Sequence, residues 1–504
     1  MILSQLVAPL IECGIKGKKD VDIAGISFDS RKVKPGQLFV CLSGTVQDGH
    51  LFVHDAARNG AVAILAEHEV VVPNAISVVI VPDARAALAI IAAHYYDYPS
   101  KKLKLIGVTG TNGKTTTVHL LNQMLNDYGK SSGLIGTLGM SIADYYEKTV
   151  NTTPESLEIQ RLLHVMVENK AEYAVMEVSS HALKMGRVNG CTFETGIFTN
   201  LTHDHLDYHG SFEEYRNAKK LMFSEFLSQN DPNHCTAVLN ADDPCFKVYA
   251  KATKAEVLKY GLSIDADIRA ENIQMNSNGS FFTLYIHGKR RPVHLKTPGI
   301  HNVYNGLASI ATGFVHQIPI ESMIETLARF TGVDGRFEIL RSTDGVMVVV
   351  DYAHNPDGLR QLLSSVRQLV KGRVYCVFGC EGDRDRLKRP VMARIALELS
   401  DLPVLTLDNT RMEDPEAILK DMASEYERNN VSRSRYYKVP DRRKAIWFAL
   451  ELAQPGDCVV IAGKGHETVQ ILGRKEVQLN DKQVVLDLWQ QNSLLTRQGS
   501  STSG

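Results

Sequence analysis

The sequence predicts an α/β protein with mostly parallel sheets, divided among three domains. Three observations lead there. The chain has 504 residues, more than one ordinary hydrophobic core accommodates. An apolar run at 103–108 enters a glycine-rich loop that opens directly into a helical stretch. From 346 onward, apolar strands alternate with helix-like stretches, which is the pattern of βαβ units.

The first 98 residues alternate short apolar strands with turn residues. Val33-Lys34-Pro35-Gly36 reads as a turn before a strand at 37–41, and Asn59-Gly60 punctuates before another at 61–65. A linker at 98–102 ends this part. The middle part, 99–334, opens with the strand at 103–108 and a helix at about 114–128. Further strands are expected at 173–178, 196–199 and 237–239; their near-continuous apolar character predicts a sheet covered on both faces. In the third part, 335–504, strands are predicted at 346–351, 373–378, 404–407 and 458–462. Helices are predicted near 357–369, 388–399, 415–427 and 442–453. The small, polar residues from 498 onward predict a disordered tail.

Composition excludes several classes. The formal net charge of −1 gives no bulk attraction to nucleic acid or an anionic membrane. The eight cysteines form no CxxC pair, which argues against a zinc ribbon or disulfide framework and fits a reducing cytoplasm. No signal peptide is apparent at the start, and no run approaches the ~20 apolar residues that span a bilayer.

The loop Gly110-Thr111-Asn112-Gly113-Lys114-Thr115-Thr116 carries the clearest chemistry. It departs from the strict phosphate-loop pattern, because Val108 stands where the first glycine belongs. Its physics is nevertheless that of a phosphate cradle. Glycines let backbone N–H groups turn inward, Lys114 meets the β/γ phosphates, and the Thr115 hydroxyl suits Mg²⁺. ATP and Mg²⁺ are therefore the expected ligands. Glu177, at the end of an apolar strand, points toward the crevice of an open sheet and suits Mg²⁺; a helix-capping acid is the alternative. The segment 203–209 packs three histidines and two aspartates, a candidate divalent-metal region or else a solvated loop. Lys219, alone, means only a charged helix face. Polar clusters at 301–305, 335–338, 351–357, 408–411 and 463–467 end strands or open helices and are expected to share a crevice.

Taken in order, the segments at 109–116 (Thr-Gly-Thr-Asn-Gly-Lys-Thr-Thr), 177–181 (Glu-Val-Ser-Ser-His), 204–210 (Asp-His-Leu-Asp-Tyr-His-Gly), His301-Asn302 with Asn305, 335–338 (Gly-Arg-Phe-Glu) and 351–356 (Asp-Tyr-Ala-His-Asn-Pro) resemble the signature of the Mur ligases. The likeness runs from Asp29-Ser30-Arg31 to Gly463-Lys464-Gly465-His466-Glu467, and is greatest to the tripeptide-forming branch. It implies a UDP-binding domain (1–98), a central ATPase domain (99–334) and a Rossmann-like domain (335–504) that binds the amino acid. It implies that ATP converts the terminal carboxylate of UDP-N-acetylmuramoyl-L-alanyl-D-glutamate to an acyl phosphate, which the amine of a diamino acid then attacks.

By the same resemblance, Lys114, Glu177, His205 and Lys219 are catalytic. Thr115, Glu177, His205 and Lys219, the last carbamylated, are metal-site residues. Gly110 to Thr116, Asn302, Arg336, Asp351 and His354 meet ATP. Ser30, Thr152, Thr153, Ser179 and Arg187 meet the UDP substrate, although Met185 replaces the family's Gln. Arg384, Asp408, Asn409, Arg411, Gly463 and Glu467 meet the amino acid. Arg411 suits the distal carboxylate of meso-diaminopimelate, while Thr410, where the family has Pro, keeps L-lysine open as an alternative. A folylpolyglutamate-synthetase-like enzyme and a nucleotide-binding partner subunit are the rival readings. A cytoplasmic monomer is expected.

Overall fold

The computed structural model describes residues 1–44, 47–227 and 234–500, with side chains described to 491. Three sheets organise them, apart from a small hairpin. The first has the order Gly14–Lys16, Ser77–Ile80, Ala63–Ala66, Gln37–Val40, Gly25–Ser27. Its neighbours are parallel except for the first pair. The strand-and-turn expectation for this part is incomplete. The helix Ala84–Tyr95 packs here, started by Asp83, whose carboxylate accepts from the amides of Arg85 and Ala86. The expected linker is a compact turn, Pro99–Lys101, with Pro99 and Ser100 buried. Ser100 Oγ accepts from the Thr192 amide, which ties the turn to the next domain.

The central sheet has eleven strands. Its core is six parallel strands in the order Glu256–Gly261, Thr236–Asn240, Thr195–Phe198, Lys104–Thr109, Tyr173–Glu177, Ser132–Gly136. Lys104–Thr109 thus lies between Thr195–Phe198 and Tyr173–Glu177. The loops after all three leave the same sheet edge, where ligands gather in open α/β sheets. Helices Lys114–Asp127 and Ile300–Val315 cover one face through Val118, Leu121, Met124, Leu307 and Ile310. Ser156–Glu168 and Phe212–Leu221 cover the other through Ile159, Leu162, Met166 and Tyr215. Burying each large apolar side chain contributes roughly 1.5–3 kcal/mol. Antiparallel strands extend both edges, Gly139–Ile142 and Tyr145–Glu147 on one side, Gly279–Ile286 and Lys289–Leu295 on the other.

The third sheet has the order Glu338–Arg341, Met347–Asp351, Cys458–Ala462, Val374–Phe378, Leu402–Leu405, Tyr437–Lys438. Only its first pair is antiparallel. Asp351 and Phe378 both pair with Ala462, so the loops beyond them open on one edge. Helix Pro356–Leu369 begins where Asn355 accepts from the Gly358 amide, with Pro356 in the first turn. Its Leu359, Leu362, Leu363 and Val366 bury at three- and four-residue spacing. The strand expected at 404–407 is Leu402–Leu405. The expected tail is corrected in part: the helix Asp481–Ser500 carries the backbone to 500, anchored by buried Asp481, Val484 and Val485, and 501–504 lie outside the described residues.

Candidate active site

The phosphate loop is shaped by its glycines. Gly110 has φ +153°, and a Cβ there would stand 1.8 Å from Thr199 Oγ1. Gly113 has φ +88°, and its Cβ would meet Asn305 Oδ1 at 2.5 Å. Neither position admits a side chain. The neighbouring strand's exit braces the loop. Thr111 N donates to Asn200 O at 2.8 Å, Asn112 N to Asn200 Oδ1 at 3.0 Å, and Thr199 Oγ1 to Asn112 O at 2.7 Å. Lys114 folds back over the loop, its Nζ donating to the carbonyls of Gly110 and Thr111, each at 2.8 Å. Burial lowers its pKa against the pull of Glu177 and Asp204.

Glu177 is 1% exposed and has no cation within ion-pair distance among the described residues. It accepts from Thr137 N at 2.8 Å, Thr115 Oγ1 at 3.0 Å and Thr137 Oγ1 at 3.2 Å. Lys219 is likewise buried, donates to Gly110 O at 2.8 Å, and lies over the Tyr215 ring. It too has no carboxylate partner, and burial together with Lys114 lowers its pKa far below that of a free lysine. An unbalanced carboxylate and an unbalanced amine thus flank one loop. That donor set fits a divalent cation at Thr115 and Glu177, and an amine whose burial disfavours its charged form is open to carbamylation. His205 stands in the left-handed region, φ +54°, beside Asp204 and edge-on to His181. Burial favours its neutral imidazole. No hydrogen bond joins His205 to Glu177 or Lys219, and no three His, Cys, Asp or Glu side chains converge as a metal site among the described residues.

The third domain supplies the opposite wall. Arg336 Nη2 donates to Thr115 Oγ1 at 3.1 Å, and its guanidinium stacks over Tyr352. Asn112 Nδ2 donates to Asp357 Oδ2 at 2.9 Å. Asn355 Nδ2 donates to Asp204 Oδ2 at 2.9 Å and Asn112 Oδ1 at 3.2 Å. Asp351 accepts from Phe337 N at 2.6 Å and Ala353 N at 2.7 Å, which fixes the turn that presents His354. Asn302 is buried at the start of Ile300–Val315, donating to Pro298 O.

The remaining loops form a polar lattice. Arg411, φ +51°, donates to Glu381 Oε1 at 2.9 Å. Lys464 Nζ donates to Glu467 Oε2 at 2.6 Å and Asn409 Oδ1 at 3.1 Å, and stands 3.6 Å from Asp408 Oδ1. Thr410 N donates to Ile471 O at 2.8 Å, a bond that proline cannot make. Arg384 reaches across to Asp207 at 3.8 Å. On the central domain, Thr153 Oγ1 donates to Glu177 O, Ser179 N donates back to Thr153 Oγ1, and Arg187 donates to Thr153 O. Met185 Sδ accepts from Arg187 Nη2 at 3.6 Å, so sulfur stands where a polar side chain was expected.

One cavity of about 1720 Å³ gathers these groups. It is lined by 111–116, Thr152, Thr153, Glu177, Ser179, Arg187, His205, Asn302, Arg336, Asp351, His354, Arg384, Asp408, Asn409, Arg411, Gly463 and Glu467. Lys219 lies beneath the loop, and Ser30 lies outside the cavity in the first domain. Sequence reasoning passed over Thr137 and Glu381, and gave no role to Asn355 or Lys464 although both stand in the polar clusters at 351–357 and 463–467. Asn355, immediately before Pro356, carries a further local signal, as a helix cap.

Fold and site define a phosphate-loop α/β protein whose nucleotide site is completed by a second domain. Residues 22–96 match the model of the Mur ligase family, catalytic domain; 108–313 that of the Mur ligase middle domain; and 335–465 that of the Mur ligase, glutamate ligase domain. The chain is 46% identical over 464 residues to a UDP-N-acetylmuramoyl-L-alanyl-D-glutamate–2,6-diaminopimelate ligase of Geobacillus thermodenitrificans, covering 92% of this chain and 94% of the other. It is 45% identical to the ligase of the same name in Listeria monocytogenes, covering 92% and 93%. A solved ligase of that name aligns with TM-score 0.67 at 32% identity, covering 98% and 99%. The fold is shared with the MurF ligase of Thermotoga maritima in complex with ADP, at TM-score 0.62, 20% identity and 88% and 95% coverage. The chain belongs to the Mur ligase family.

Proposed function

We propose that this chain is an ATP-dependent, ADP-forming ligase that joins 2,6-diaminopimelate to UDP-N-acetylmuramoyl-L-alanyl-D-glutamate in peptidoglycan synthesis. The convergence of the phosphate loop, Glu177 and the 408–411 and 463–467 loops on one cavity carries this reading. In it, residues 1–98 bind the UDP end, 99–334 bind ATP, and 335–504 bind the amino acid.

The carboxylate of the UDP substrate is a poor electrophile. Its oxygen attacks the γ-phosphorus, the bond to the β-phosphate oxygen breaks, and ADP leaves. The diaminopimelate amine then attacks the acyl carbon, phosphate leaves with the C–O electron pair, and the amine sheds a proton. Lys114 exchanges its two loop carbonyls for phosphate oxygens, and the inward N–H groups of 110–116 hold the triphosphate. Arg336, Asn302, Asp351 and His354 complete the nucleotide wall. Thr152, Thr153, Ser179 and Arg187, with Ser30 at the far end, orient the UDP substrate. Arg384, Asp408, Asn409, Arg411, Gly463 and Glu467 orient the amino acid, with Arg411 released from Glu381 toward the distal carboxylate. Thr115, Glu177, His205 and carbamylated Lys219 would hold Mg²⁺, which neutralises charge on the transferring phosphoryl group. Catalysis is then positioning and charge stabilisation. The eight free cysteines support a cytoplasmic setting; the protein acts there as a monomer.

The test is phosphate release from ATP in the presence of the UDP-linked dipeptide. Release is expected to require a diamino acid and to favour meso-diaminopimelate over L-lysine. Preference for L-lysine, or tight ATP binding with no amino-acid-dependent release, overturns the reading.

A further inference from the structure

Lys388 opens the helix Lys388–Leu399, beyond the loop that leaves strand Val374–Phe378. It is 6% exposed and lines the large cavity. Among the described residues its ammonium donates no hydrogen bond and lies within 4.0 Å of no carboxylate oxygen. Among the described residues, the other arginines and lysines that the third domain turns to this cavity are engaged. Arg336 meets Thr115, Arg384 meets Asp207 and Glu381, Arg411 meets Glu381, Lys464 meets Glu467, and Lys482 meets Glu338. The adjoining Arg389 is fully buried and grips Glu413 through both terminal nitrogens at 2.7 Å, which fixes the start of the helix. Lys388 is therefore a cation held in a cavity by a rigid neighbour, with its own donors unspent. Such an ammonium is unfavourable unless an anion joins it.

Its position names the anion. The loop before Lys388 bridges the two domains: Arg384 reaches Asp207 at 3.8 Å, two residues from His205 on the central domain, and Glu381, whose carbonyl accepts from the adjoining Arg389 at 3.0 Å, pairs with Arg411 on the third. Lys388 thus stands between the phosphoryl-transfer side and the amino-acid side. The reaction proposed above brings the phosphoryl group to that junction, first in transfer to the carboxylate and then leaving as phosphate, and it carries the most negative charge there. We propose that Lys388 is a further catalytic residue that binds this phosphoryl group and stabilises the phosphate as it leaves. Its Nζ donates hydrogen bonds to equatorial oxygens. The proposal rests on the ligase reading.

The experiment compares K388M and K388R with the unaltered full-length protein. K388M is expected to lower kcat by about 100-fold, with the KM for the amino acid and the affinity for ADP within about twofold of the unaltered protein. The complex of ADP, aluminium fluoride and Mg²⁺, formed with the UDP-linked dipeptide, is expected to weaken about tenfold in K388M and to recover in part in K388R. A raised amino-acid KM with kcat retained would identify a carboxylate clamp and overturn the proposal. Equal affinity of K388M and the unaltered protein for the fluoride complex would also overturn it. Should K388M unfold, K388Q carries the same comparison. The fluoride measurement needs no amino acid, so failure of diaminopimelate as substrate leaves the decision on Lys388 intact.

Discussion

At the scale of single residues, the chain buries charge and then uses it. Lys114, Lys219, Glu177 and Lys388 line or underlie one cavity, and among the described residues none of them has an opposite charge within 4.0 Å. His316 shows the purely structural form of the same physics. It is 7% exposed, meets Thr195 Oγ1 at 3.0 Å, and packs edge-on to Tyr173. Burial, with Lys104 adding to it, pushes its pKa down to about 4, below the ordinary 6.5; Glu194 stands at 3.8 Å. The unfolded chain therefore binds the proton more readily. The neutral imidazole contributes stability that is present above pH 6.5 and lost as pH falls toward 4. Urea unfolding followed by circular dichroism at pH 7 and pH 4.5 checks this. H316Q should lose about 1–3 kcal/mol less between those pH values than the unaltered protein.

At the scale of elements, helix Arg442–Leu452 and helix Asp481–Ser500 are joined by a buried ion pair, with the more exposed Arg443–Asp487 pair at 3.4 Å beside it. Arg442 Nε and Nη2 donate to the two Asp481 oxygens at 2.8 and 2.7 Å, and both side chains are fully buried. Nη2 also donates to Ala462 O, just before Gly463. Removing one partner leaves a buried charge, so R442M should cost about 3–5 kcal/mol. The two tryptophans, Trp447 and Trp489, lie on these two helices, so their fluorescence follows this unfolding step. An unchanged fluorescence midpoint would remove the pair from the account of stability.

The same scale separates what the sequence reveals from what it hides. The phosphate loop and the strand–helix units after 346 are legible because apolar runs, Pro at a first turn and Asn or Asp caps are local signals. Cys458–Ala462 and Lys388–Leu399 fall where the pattern puts them. Strands Ile268–Asn276 and Lys289–Leu295 escape because their half-exposed polar pattern resembles loop. Placing Lys114 and Glu177 near a sheet edge follows from sequence. That Lys388 is buried, Arg411 paired with Glu381, and Glu467 held by Lys464 does not, because tertiary docking sets those contacts.

At the scale of the molecule, few polar bonds connect the central and third domains across the site. Asn355 makes two of them, to Asp204 and Asn112, while its own oxygen caps a helix. Ser at this position retains the cap and loses the reach. N355S should therefore lower kcat about tenfold with stability changed by less than about 1 kcal/mol. Small-angle X-ray scattering should show a smaller ligand-induced compaction than in the unaltered protein; full compaction with full kcat would place the coupling elsewhere.

The cavity between those domains has a further consequence. About 1720 Å³ of space corresponds to roughly 60 molecules of liquid water at about 30 Å³ each. Filling it with nucleotide, UDP-linked peptide and amino acid returns much of that water to bulk. Assembly of the site is thereby coupled to water activity: a cell losing turgor, or a solution enriched in an excluded sugar, tilts the same equilibrium as a higher substrate concentration.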